Sequence, residues 1–380
     1  ATRINKDGFI ETVASGDSRL DYPLIDGVVN GCPSVLLEPS RTNSVTYSEG
    51  FSNAYWTKSG ASVTSDVAIS PDGSLNAFKL VESATTSRHF MYTTTSGLTS
   101  GADYNISFYV KAAERSNVWI YDDGGASNGV AFDLTNGSII YSNTSENYSI
   151  TESINGWYKI SIVSSLAVND RYPLIELLED SYISGTPVAY VGDGTSGLYI
   201  WGAQLEQGNY ATSYIPTNGT AVTRLADTAN GSGDATTFND SEGVLYAEIS
   251  ALANDSSTEA LSINNGSASD RVVIFKWNVS NTIRARVTSG GVNTAELDVS
   301  VSDITNINKI ALKYKQNDFA LWVNGVEVAT DFSGVTPIGL SELSFDSDGI
   351  GGAPFLGNTK DVRVYNTALT DGELQKLTTI

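Results

Sequence analysis

Apolar and polar side chains alternate with a period of two along most of the chain, the spacing that sends neighbouring side chains to opposite faces of a strand. Ile106-Ser-Phe108-Tyr-Val110, Val118-Trp-Ile120 and Tyr158-Lys-Ile160-Ser-Ile162 follow it, and Tyr199, Trp201, Ala203 and Leu205 share one side of a further run. Turn-forming pairs separate the runs: Asp72-Gly73, Asp123-Gly124, Asn136-Gly137, Asn155-Gly156 and Asp193-Gly194. Many short alternating runs with this punctuation predict an all-β chain built of sandwiches. Later in the chain, Gly243–Ile249 and Asp361–Tyr365 read as strands. Ala320–Val323 and Val326–Val328 flank Asn324-Gly325, the strongest short hairpin signal. Helical periodicity is confined to the C-terminus. There Thr370-Asp-Gly-Glu373 reads as a capping box, and Leu369, Leu374 and Leu377 supply an apolar stripe.

The pattern breaks where a polar Asn230-Gly-Ser-Gly-Asp234 stretch follows Pro216–Gly219, and aromatic usage shifts with it. Sixteen of the 19 tyrosines precede residue 228, as do four of the six tryptophans, so the two halves are different modules. The predicted organisation is a β-hairpin and contact segment over residues 1–45, a first sandwich over 46–226, a linker over 227–242 and a second sandwich over 243–380. The leading segment is too short to bury its own core. It is expected to pack on the first sandwich or on a neighbouring chain.

Charge narrows the partners. The chain carries 22 Lys and Arg against 43 Asp and Glu, a net −21. Such a surface repels phosphate backbones and anionic lipid, so neither nucleic acid nor membrane insertion is expected. Neutral glycans remain compatible, whereas polyanionic ones would need a local basic patch or a bridging metal. With one cysteine and one histidine, the chain lacks the side chains for an intrachain disulfide, a zinc site of usual ligand spacing or a histidine-based nucleophilic triad. No P-loop or GxGxxG motif is present. No acid pair is singled out for glycoside chemistry, and the chain is read as a non-enzyme. His89, inside Arg88–Tyr92, and Cys32, inside a Gly-Cys-Pro turn, are read as structural, with Cys32 small and buried.

Alternation also nominates a binding face. If Ile106, Phe108 and Val110 face the core, Tyr109 and Lys111 face away. If Val118 and Ile120 face in, Asn117, Trp119 and Tyr121 face out. If Tyr158, Ile160 and Ile162 face in, Trp157 and Lys159 face out. Should the three strands share a sheet, these residues converge on one surface. There, flat aromatic rings would stack on sugars and the polar neighbours would bond hydroxyls. The competing reading has Trp119 and Trp157 covered by loops or by the N-terminal segment. Trp56, Trp201 and Trp322 are assigned to the core. Asp346-Ser-Asp348-Gly349 is a candidate Ca2+ loop, although the full twelve-residue pattern is absent.

Two motif sets carry a family resemblance. Leu36-Leu-Glu-Pro-Ser-Arg-Thr-Asn43, Thr46–Trp56, Trp201–Gly208 and Ala211–Pro216 together resemble a module of phage structural and tail-fibre-type proteins. That module is a carbohydrate-binding-module-like jelly roll covering about residues 40–226. Phe319–Val328 and Asp361–Leu374 resemble the concanavalin-A-like, laminin-G-type sandwich. The resemblance implies a surface-displayed glycan-binding or adhesion protein, extracellular or on a virion fibre or decoration. Its partners would be a cell-surface glycan or other virion or surface subunits, in a homotrimer. It also implies a structural Ca2+ near Glu49 and Glu206, between the first and last strands of the jelly roll. A purely structural virion or surface protein, and an accessory region of a polysaccharide-degrading enzyme, are the alternatives.

Overall fold

The computed structural model describes residues 1–122, 129–144 and 147–380. The Asp123-Gly124 turn lies outside them. Regular structure is almost entirely strand. Among the described residues the one α-helix is Asp371–Thr378. Two compact units form, one from residues 1–33 and 40–225, the other from 34–39 and 226–380. Each is an antiparallel β-sandwich, and the N-terminal β segment belongs to the first.

In the first unit one six-stranded sheet runs in the order Tyr148–Glu152, Tyr158–Ser164, Tyr104–Ala112, Gly197–Gln207, Leu75–Glu82, Ala61–Ile69. The second runs Ser138–Ser142, Gly129–Asp133, Asn117–Asp122, Pro173–Leu177, His89–Tyr92, Thr57–Ser59. The inward residues read from the alternation (Ile106, Phe108, Val110, Val118, Ile120, Tyr158, Ile160 and Ile162) meet in one core with Trp56. A second apolar cluster covers the outer side of the first sheet. Ile10 of the N-terminal segment packs there with Tyr109, Trp157, Trp201 and Tyr214. Thr2 Oγ1 donates to the Tyr214 carbonyl at 2.6 Å and Arg19 Nη1 to Ser213 Oγ at 3.1 Å, which holds the segment down. Cys32 is exposed, which corrects its assignment as a buried residue. Gly31 at φ 100° and Pro33 carry the chain through a turn that leaves the thiol outside.

The second unit borrows a strand from far upstream. Ser34–Leu37 pairs antiparallel with Gly357–Tyr365, Leu37 opposite Gly357 and Val35 opposite Thr359. The sheet continues through Glu242–Ala251, Asn308–Lys315, Phe319–Val323 and Val326–Asp331. Leu37 and Phe238 join the core between this sheet and a five-stranded one. Asn324 and Gly325 take φ of 51° and 85°, the paired positive values of a type I′ hairpin turn. The capping box forms, with the Thr370 N–H donating to Glu373 Oε2 at 2.8 Å. Leu374 is fully buried against Val244, Tyr246 and Trp322, with Leu369 and Leu377 at its side.

Candidate functional site

The five-stranded sheet of the second unit runs Val292–Ser300, Thr282–Ser289, Arg271–Lys276, Glu259–Asn264, Glu342–Ser344. Its inward residues are apolar: Leu261, Ile263, Val272, Ile274, Ile283, Ala285, Val287 and Leu297. Because the side-chain period is two, the residues between them all face outward. Register then aligns them in rows across the sheet. Asn264 lies opposite Arg271, and Arg271 opposite Thr288. The next row holds Ser344, Ser262, Val273, Arg286 and Glu296. The next holds Ala260, Phe275, Arg284 and Asp298.

These rows build a floor of rings under a layer of guanidinium groups. Phe275 and Trp277 meet edge to face at 5.6 Å. The Arg284 guanidinium lies 3.9 Å from the centre of the Trp277 ring. That of Arg286 lies 5.3 Å from the Phe275 ring and that of Arg271 5.8 Å from the same ring. Cation–π contact of this kind holds a planar guanidinium flat. Arg284 bonds Asp298 through two nitrogens, at 2.7 and 2.6 Å, and these bonds raise its pKa. Arg286 bonds Glu296 at 2.8 Å. The outcome is a shallow, partly covered face with fixed donors beside fixed acceptors. A sugar hydroxyl both donates and accepts, so this alternation suits a polyol.

A glycine-rich loop rims one end of the face. Asp346 is fully buried and organises it: Oδ1 accepts from the N–H groups of Asp348 and Gly349 at 3.0 and 2.5 Å, and Oδ2 from Asn230 Nδ2 and Gly351 N–H at 2.7 and 2.8 Å. Gly349 takes φ 77°, a left-handed conformation that favours glycine. Ala353 brings the loop onto Ala260, Val273 and Phe275.

The residues nominated from the sequence do not form one site. Tyr109 and Lys159 lie in the first sheet of the first unit, while Asn117, Trp119 and Tyr121 lie in the second. The two sheets lie on opposite sides of one core, and Trp119 and Tyr121 belong to that core cluster, so these residues do not converge on one outer surface. Both tryptophans are covered, at 2% exposure for Trp119 and 1% for Trp157. Tyr141 stacks on Trp119 at 6.2 Å with Tyr182 at its edge, and Trp157 Nε1 donates to the Ile69 carbonyl at 3.0 Å beneath the N-terminal segment. Tyr109 packs on Trp201. Lys111 donates to the Asn155 carbonyl at 2.7 Å, Asn117 to the Glu179 carbonyl at 3.3 Å and Lys159 to the Thr212 carbonyl at 2.5 Å. Tyr121 accepts from Arg88 at 2.9 Å. These side chains pin loops instead of presenting a stacking platform.

Nor do the nominated carboxylates form a calcium site. Both oxygens of Asp346 accept N–H bonds, and Asp348 Oδ1 accepts from Ile350 and Gly352. Glu206 accepts from Gln204 Nε2 and from the N–H and hydroxyl of Thr212, at 2.8, 2.7 and 2.5 Å. Glu49 accepts from the Tyr214 hydroxyl at 2.8 Å, and burial pushes its carboxyl above its ordinary pKa. Lone pairs spent on N–H and O–H donors are not available to a cation. Among the described residues no group of three or more His, Cys, Asp and Glu is placed to hold a metal. His89 is fully buried, with Nδ1 against the Gly60 carbonyl and Nε2 3.3 Å from that of Tyr190.

Arg271, Phe275, Trp277, Arg284 and Arg286 were not nominated from the sequence. A signal exists: Arg271-Val-Val-Ile-Phe275-Lys-Trp277 and Arg284-Ala-Arg286 place arginines and aromatics on the same parity of consecutive strands.

The face falls within residues 234–375, which match the model of the concanavalin A-like lectin/glucanases superfamily, laminin G type. No curated protein matches the chain. Among solved structures, the CBM40 module of the Ruminococcus gnavus IT-sialidase bound to α2,3-sialyllactose is similar at 21% identity and TM-score 0.34, over 40% of this chain and 94% of that one. Domains LG4-5 of the mouse laminin α1 chain are similar at 10% identity and TM-score 0.27, over 76% of this chain and 90% of that one. A carbohydrate-binding protein described for Bacteroides ovatus is similar at 11% identity and TM-score 0.30, over 77% and 80%.

Proposed function

We propose that this is a non-catalytic glycan-binding protein, lectin-like in mode, that recognises sugar on the outer face of the five-stranded sheet of its second unit. The supporting observation is the row of guanidinium–carboxylate pairs seated on Phe275 and Trp277, within the segment matched by the lectin-type model. Such a face has fixed hydrogen-bonding groups and no deep cleft. It fits weak binding strengthened by multivalent display. The chain's one histidine is buried with both ring nitrogens against carbonyls, consistent with binding rather than acid–base chemistry. Display at a cell or virion surface, as part of a fibre or decoration, rests on the resemblance of Leu36–Asn43 and Trp201–Gly208 to phage structural modules.

A glycan array tests the reading. The protein is expected to score on a defined subset of sugars. Trp277→Ala removes the ring that holds Arg284 flat and should weaken binding by about tenfold, about 1.4 kcal/mol. A blank array, or undiminished binding by Trp277→Ala, would remove this face from consideration.

A further inference from the structure

Arg271 differs from its two neighbours. Arg284 and Arg286 are each bonded to a carboxylate across the strand pair. Among the described residues the Arg271 side chain bonds from Nη1 to the Ser347 carbonyl at 2.6 Å, and its Nε is buried without an acceptor. Among the described residues no carboxylate stands within ion-pair distance of it. Asp348 acts on it through charge alone, and its Oδ1 accepts from the Ile350 and Gly352 N–H groups. Burial and the like charge of Arg286 both hold the Arg271 guanidinium below its ordinary pKa. In a chain with 43 acidic residues and 22 basic ones, a partly buried arginine outside any ion pair, offset only in part by the charge of Asp348, stands apart. Its placement is specific. Arg271 and Arg286 approach the same Phe275 ring, one strand apart, so their charges add at one spot on the face.

We propose that Arg271, reinforced by Arg286, is the subsite for a single anionic group, a carboxylate or a sulfate ester, on the sugar bound at this face. The inference rests on the glycan reading above and adds the class of sugar. A planar guanidinium with unspent N–H groups takes either anion through two parallel bonds. The ligand is an otherwise neutral glycan with one acidic residue. A long polyanion would meet the repulsion of a net −21 molecule beyond the local patch.

The test uses the full chain and a panel of neutral oligosaccharides. Each is paired with its uronic-acid-terminated form and its sulfate-esterified form, and binding is measured by titration calorimetry. At least one acidic form should bind about tenfold or more tightly than its neutral parent, and whichever form does so identifies the anion. Arg271→Met should bring that form down to the neutral level. It should leave the unfolding midpoint unchanged or higher, because an unpaired, partly buried charge is removed. Arg271→Lys keeps the charge without the fork and should lose most of the preference. Neutral sugars bound without any acidic preference would overturn the subsite and leave the glycan reading standing. So would a preference that survives in Arg271→Met. No binding of any sugar would overturn both.

Discussion

Outward-facing and exposed are different properties of a residue in this protein. Parity along a strand points Trp157 outward, yet it is buried in a second apolar cluster, and Trp119 is buried in continuity with the main core. Large rings left on an outer face recruit a second layer, here the N-terminal segment over Trp157 and two tyrosines over Trp119. Gly129 completes the Trp119 niche, since a Cβ there would lie 2.5 Å from the indole. Trp119→Ala should therefore destabilise the first unit by about 3–5 kcal/mol, the cost of a large cavity. A denaturant titration measures it, and a folded, equally stable variant would contradict the packing described.

At the scale of elements, buried acids join strand ends and the connections that follow them. Glu82, at the end of Leu75–Glu82, accepts two bonds from Arg115 at 2.9 and 2.8 Å, one from the Tyr190 hydroxyl at 2.8 Å and one from the Asp193 N–H at 2.9 Å. Burial alone would raise its pKa. The Arg115 bonds, the Asp193 N–H and the Tyr190 hydroxyl outweigh that and lower it. An acid with a lowered folded value adds stability above its unfolded value, near pH 4.3 by the usual reference of about that figure. That stability is lost as pH falls through the folded value. Glu82→Gln should accordingly be less stable at pH 7 and should lose less on acidification. Urea midpoints between about pH 7 and pH 3 compare the two. Parallel acid limbs would show that Glu82 does not contribute.

On the scale of the whole molecule, the order of the chain and the composition of the units differ. The second unit takes Ser34–Leu37 as a strand, with Leu37 in its core, although more than a hundred residues of the first unit intervene. A fragment spanning residues 226–380 alone should leave an open sheet edge beside Gly357–Tyr365 and an unfilled site for Leu37. The buried leucine contributes about 2 kcal/mol, and the open edge invites association. Comparing unfolding midpoints of that fragment with and without residues 34–39 fused to it checks this. Equal midpoints would show that the strand is dispensable.

The local pattern by itself determined the all-β class, the inward residues of Tyr104–Ala112, Asn117–Asp122 and Tyr158–Ser164, the Asn324-Gly325 hairpin and the capped C-terminal helix, whereas Tyr199 and Trp201 pack on the other side from Ala203 and Leu205. Alternation, turn chemistry and capping act between residues a few positions apart, so a linear reading contains them. Only the tertiary structure decided which strands share a sheet, which outer faces are covered and where unpaired charge remains. The nominated aromatics fell on two sheets of one unit. The guanidinium face arose from register among strands spread from Glu259 to Ser344. Pairing between distant segments places a side chain beside its partners, and no local spacing encodes that choice.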